Sequence, residues 1–166
     1  EDFKQREYDF DIPQHYQSIL RDYQKLGYQW LRLMEHYGFG GILADDMGLG
    51  KTLQMITYFD SLKGQGTHMV IAPASLIFNW QDEFQKFSQD LKVLCVYGHK
   101  EAREKLLEHK EDYDVVITSY DYLRRDIELY ETYQFHTVVI DEAQNIKNPK
   151  TRNAICVKRL KAKQRF

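Results

Sequence analysis

Apolar residues along this chain follow two rhythms. Between Ile19 and Tyr37, Leu20, Tyr23, Leu26, Trp30, Leu33 or Met34, and Tyr37 recur every three or four positions. That is the period of a helix with one buried face, and Gly38-Phe39-Gly40-Gly41 stops it. The second rhythm begins after this point. Short apolar runs at Ile42–Ala44, Met69–Ala72, Val93–Tyr97, Val115–Ile117 and Val138–Ile140 predict buried strands, several of them rich in β-branched residues. Helical stretches lie between them. Thr52–Lys63 carries Leu53, Ile56, Phe59 and Leu62 on one face; Leu76–Phe87 and Glu101–His109 follow. Residues 120–135 suggest a short helix and a Tyr-rich loop, and a final helix is expected over Thr151–Leu160. Residues 1–16, aromatic and acidic with no clean period, read as a lead-in segment, leaving 17–166 as one domain.

Strands that alternate with crossover helices imply the α/β class: a mostly parallel sheet with helices on both faces. Right-handed crossovers place all the strand carboxyl ends along one edge, where such sheets bind ligands. The loops after Ala44, Ala72, Ile117 and Ile140 are therefore expected to share a rim.

Composition narrows this picture only a little. Hydrophobic residues at 43% and charged residues at 29% are ordinary for a globular domain and exclude wholesale disorder. No apolar run approaches the roughly 20 residues of a membrane-spanning helix, and the opening residues show no signal-peptide pattern, so no membrane partner is expected. Cys95 sits inside an apolar run as a structural thiol, and neither it nor Cys156 has metal-ligand spacing. The net charge is −2, yet residues 147–166 hold eight Lys or Arg and no Asp or Glu. Such a stretch serves a phosphate backbone, a partner domain or plain solvent equally well.

The chemistry concentrates in two segments. Gly50-Lys51-Thr52 ends a glycine-containing loop between a strand and an amphipathic helix, the setting of a phosphate cradle. The first glycine of the usual motif is replaced by Asp45, and Gly48 supplies flexibility instead. Asp46-Met47-Gly48-Leu49-Gly50 can still wrap backbone N–H groups around phosphate oxygens, with Lys51 on the outer phosphates and Thr52 on magnesium. Far along the chain, Asp141 follows the run Val138-Val139-Ile140 at the same expected rim, where its carboxylate suits Mg2+. Glu142, next in sequence, is a candidate base for an attacking water. A nucleoside triphosphate with Mg2+ is the ligand these residues fit.

Taken together, Leu20-Arg21-Asp22-Tyr23-Gln24-Lys25-Leu26-Gly27, Asp45-Asp46-Met47-Gly48-Leu49-Gly50-Lys51-Thr52, Ala72-Pro73-Ala74-Ser75-Leu76, Thr118-Ser119-Tyr120 and Asp141-Glu142-Ala143-Gln144 resemble the Swi/Snf-type ATPases of helicase superfamily two. The likeness runs over about residues 18–150. It implies the first of two RecA-like lobes, a three-layer P-loop NTPase domain, here stopping before the last strand or strands. It also implies a DNA-dependent ATP hydrolase that moves along double-stranded DNA and remodels protein–DNA complexes. By that resemblance Gln24 reads the adenine, Gln144 joins Lys51, Asp141 and Glu142 in the catalytic set, and Ser75, Asn79, Trp80, Ser119 and Tyr120 contact the DNA backbone. Trp80 and Phe84, at helical spacing, read more readily as core than as DNA contacts. The partners implied are duplex DNA, a protein bound to it, and the second lobe of the same polypeptide, whose arginines are needed for fast turnover. The piece alone is expected to hydrolyse ATP barely. Its place would be the nucleoid of a bacterium, which Gln144 hints at, or a nucleus. The rival readings are another P-loop NTPase with no nucleic-acid partner, and a nucleotide-sensing scaffold module.

Overall fold

The computed structural model describes residues 10–37, 51–88, 90–141 and 152–166. Five parallel strands form one sheet: β1 His68–Ala72, β2 Val93–Cys95, β3 Val115–Ser119, β4 Gln134–Ile140 and β5 Lys161–Arg165, in the order β2-β3-β1-β4-β5. The helices are α1 Gln14–Gln17, α2 Asp22–Tyr37, α3 Lys51–Ser61, α4 Ile77–Phe87, α5 Lys100–Leu107, α6 Tyr120–Arg125, α7 Ile127–Tyr130 and α8 Arg152–Arg159. Every expected strand and helix within the described residues is present, most within a few residues of its expected bounds. The run Ile42–Ala44 lies outside them.

Alternate residues of each strand serve opposite faces. Val70 and Ala72 of β1 pack with Leu31, Ile56, Phe59 and Trp80 beneath α2, α3 and α4. Met69 and Ile71 pack with Leu123, Ile127, Tyr130 and Val157 beneath α6, α7 and α8. Both faces are thus dry, which is why the central strands are apolar at every position rather than at alternate ones. Register carries the same logic to the strand ends, with Ala72 beside Ser119 and Ile71 beside Ile140. The carboxyl ends of β1, β3 and β4 therefore line up along one edge.

One close approach explains a helical glycine. A Cβ on Gly27 would come within 2.1 Å of Oε1 of Gln54, whose side chain is wholly buried. Glycine in a helix costs about 1 kcal/mol relative to alanine, and here it lets α2 seat on α3.

β5 is the element that the apolar pattern did not predict. Its sequence, Lys-Ala-Lys-Gln-Arg, is polar, and the chain was expected to stop short of another strand. It joins the sheet beside β4, with Thr137 opposite Gln164. Lys161 and Lys163 point to solvent, while Ala162 packs on the core and Gln164 is buried. Arg165 folds back to donate to the carbonyls of Val157 and Leu160. Phe166 then closes the cluster with its ring edge-on to Tyr58, 5.4 Å between centroids.

Candidate nucleotide site

Lys51 opens α3, an 11-residue helix whose inner face, from Leu53 to Phe59, is buried. That burial fixes the helix start at the sheet edge. Asp141 follows β4 directly, and its amide donates to the Ile71 carbonyl at 2.8 Å, extending the ladder by one bond. The two side chains meet there, Lys51 Nζ lying 3.3 Å from Asp141 Oδ1. Lys51 keeps 20% of its side chain exposed, against 8% for Asp141. A half-open ammonium beside a nearly buried carboxylate can exchange partners, whereas a sealed pair cannot.

The rest of Asp141 is held from the interior. Trp80 Nε1 donates to Oδ2 at 2.8 Å, and the Tyr120 hydroxyl donates to the Asp141 main-chain carbonyl at 2.6 Å. Trp80 is 3% exposed and Tyr120 6%. A buried indole N–H needs an acceptor, and a carboxylate is the strongest available. Trp80 was weighed as a DNA contact and as core; the structure makes it core, with this polar tip.

The other candidate residues divide by their surroundings. Thr52 is half-buried next to Lys51 at the start of α3. Gln24 is buried, and its Oε1 accepts from the Arg21 amide at 2.8 Å, closing the first turn of α2 as a capping residue does. Ser119 is buried too, and its hydroxyl accepts from the Tyr122 amide at 3.1 Å as the N-cap of α6. Tyr120 faces inward, as described. Ser75 and Asn79 are exposed, the first in the 3-10 turn Ala74–Leu76 and the second on the outer side of α4. No side chain caps α4. Asp46, Met47, Gly48, Leu49, Gly50, Glu142 and Gln144 lie outside the described residues.

Donor chemistry at this edge suits a hard divalent cation beside a phosphate. It holds a carboxylate oxygen that already contacts a positive charge, a hydroxyl-bearing residue, and a lysine at a helix start. These residues would hold a magnesium ion and the outer phosphates, and the metal would supply charge neutralisation there. Cys95 is unrelated to the site. It is buried in the sheet, and burial raises its thiol to a pKa of about 11, as expected of an inert structural cysteine.

With that arrangement in place, a family model described as the SNF2-related domain matches residues 23–166. The chain belongs to the SNF2-related domain family. Within it, the chain is similar to the Sulfolobus solfataricus SWI2/SNF2 ATPase core in complex with dsDNA, at 42% identity and a TM-score of 0.83, covering 94% of this chain and 33% of that one. It is also similar to the human SWI/SNF-related matrix-associated actin-dependent regulator of chromatin subfamily A member 1, 39% identical over 154 residues, and to the uncharacterized ATP-dependent helicase MG018 of Mycoplasma genitalium, 42% identical over 146. These matches cover 89% and 86% of this chain but only 15% and 14% of the relatives. The SNF2-related domain resemblance read from the motifs is thereby established, and with it the RecA-like α/β fold. The short coverage means that the activity of a whole relative describes far more polypeptide than this.

Proposed function

We propose that this chain is the ATP-binding lobe of a DNA-dependent ATP hydrolase, a motor that moves along double-stranded DNA. The observation that carries the reading is the Lys51–Asp141 contact, which joins residues 90 positions apart at the carboxyl edge of a parallel sheet. In this reading Lys51 holds the outer phosphates, with the loop Asp46–Gly50 around them. Thr52 and Asp141 hold Mg2+, and Glu142 orients or deprotonates water while Gln144 responds to the nucleotide. Gln24 serves the adenine by re-aiming the amide that now caps α2. The exposed pair Ser75 and Asn79 contacts phosphates of the duplex, positioning it without reading sequence. Ser119 and Tyr120 act indirectly, by shaping the adjoining loop. A second lobe supplies the arginines that complete the site, so the described lobe alone turns over little ATP. The relatives' names, which speak of helicases, chromatin regulation and a dsDNA complex, support the choice of DNA as partner.

ATP and GTP hydrolysis by the full-length polypeptide, with and without duplex DNA, tests this. ATP-selective turnover that DNA accelerates, and that Lys51→Ala lowers by at least about 10², is expected. Equal turnover in wild type and Lys51→Ala would eliminate the motor reading and leave a scaffold module.

A further inference from the structure

Among the described residues Asp141 is held at four points, and one of them is the partly exposed Lys51. Its amide binds Ile71, its carbonyl accepts from Tyr120, and Oδ2 accepts from Trp80. Oδ1 alone meets Lys51. A carboxylate left to itself turns about its last torsion through a broad, two-fold range. One short hydrogen bond from a buried N–H fixed on α4 removes that freedom.

We infer that Trp80 is a positioning residue of the nucleotide site, acting through Asp141. Its indole N–H holds Oδ2 inward and so presents Oδ1 to Lys51 and to the divalent cation. The inference rests on the ATP reading above and extends it to a residue that packing alone does not explain. Volume in this part of the core could be filled by any large apolar side chain, as Phe84 does beside it, 6.1 Å between ring centroids. Only an indole supplies both the bulk and a donor that has no acceptor function to misdirect. Trp80 also stands next to exposed Asn79 on α4, so movement of the helix surface reaches the carboxylate over a single residue.

The test uses the full-length protein and separates the N–H from the bulk. Trp80→Phe keeps an aromatic ring and removes the donor. Benzothienylalanine placed at position 80 keeps the whole bicyclic outline and removes it too, so a folding defect in the first variant does not end the test. Mn2+ affinity is read by electron paramagnetic resonance with a non-hydrolysable ATP analogue, alongside kcat and KM. Both variants are expected to bind Mn2+ about tenfold more weakly and to lose a similar factor in kcat, with KM for ATP within about threefold. Phe84→Leu, a pure packing change, should lower Tm and leave Mn2+ affinity within about twofold. In an Asp141→Asn background, replacing Trp80 should add less than about twofold, because the carboxylate that transmits its effect is gone. Unchanged Mn2+ affinity in the Trp80 variants, an equal loss in Phe84→Leu, or a full loss persisting beside Asp141→Asn would each overturn the inference. If Lys51→Ala and Asp141→Asn abolish hydrolysis while the Trp80 variants are silent, the site reading stands and this inference falls. If those two leave hydrolysis intact, the site reading itself fails.

Discussion

Two Asp-centred ion pairs, one between α5 and the α6–α7 junction and one at the carboxyl edge of the sheet, separate architecture from chemistry by their geometry. Arg103 and Asp126 form a two-bonded fork at 2.6 and 3.0 Å, with side-chain exposures of 5% and 1%. The third guanidinium nitrogen donates to the Gly98 carbonyl at 2.7 Å, and the guanidinium carbon lies 4.7 Å from the centre of the Tyr122 ring. Hydrogen bonding to Asp126, aided by its charge and opposed by burial, holds the Arg103 pKa above its ordinary value. All of this ties the turn after β2 to the loop between α6 and α7. Lys51 and Asp141, in contrast, share one contact of 3.3 Å, made by a single-point ammonium that water can still reach. Arginine in a two-bonded fork is fixed, whereas a lysine with one contact among the described residues can exchange it. Two pairs of the same charge type thus do different work, and the number of bonds made among the described residues tells them apart.

The largest effect should come from the saturated pair. Arg103→Ala strands a buried carboxylate and is expected to reduce unfolding free energy by about 3–5 kcal/mol, read from denaturant midpoints at constant m. Arg103→Lys should recover only part of that, since an ammonium cannot reproduce the fork. A loss below about 1 kcal/mol in Arg103→Ala would show that the fork is not structural.

A buried base with no partner sharpens the contrast from a third side. His68 is wholly buried on β1, neither ring nitrogen has a hydrogen-bond partner, and burial lowers its pKa to about 3, with the nearby His136 adding to the shift and Asp114 opposing it. His136, 3.6 Å from Glu35 across to α2 and near Lys163, is lowered as well, chiefly by burial. Between its folded value and the ordinary 6.5, the unfolded chain binds a proton that the folded chain does not. Stability is therefore complete above pH 6.5 and falls as pH drops, by up to about 1.4 kcal/mol for each unit from His68 alone. Thermal melts from pH 7 to 5 should show that slope, and His68→Phe should flatten it. An unchanged slope in His68→Phe would assign the acid sensitivity elsewhere.

The smallest effect on stability belongs to the candidate site. Lys51→Ala should shift unfolding free energy by no more than about 1 kcal/mol, because the pair is partly open and Trp80 continues to bond Asp141. A loss as large as that of Arg103→Ala would erase the distinction between the two pairs.

Much of this was legible in the chain, for reasons that are physical. Buried parallel strands are written as unbroken apolar runs, so β1, β3 and β4 were visible. The polar strand β5 was not, because its lysines face water while only small Ala162 and polar Gln164 turn inward. Motif spacing pointed to Lys51 and Asp141 but could not tell which of Ser75, Asn79, Trp80, Ser119 and Tyr120 face out. Helical spacing alone leaves a tryptophan ambiguous between surface contact and core. The acceptor that its N–H finds decides, and that acceptor is 61 positions away.

Local sequence, then, determined the strand and helix alternation, the lysine that opens α3 and the carboxylate after β4, since period and residue type act over a few neighbours. Tertiary structure alone decided that Trp80 and Tyr120 turn inward onto Asp141, that Gln24 caps its own helix, and that one carboxylate oxygen is left for Lys51. Those outcomes depend on which distant groups burial brings within hydrogen-bond reach, and no stretch of chain carries that information by itself.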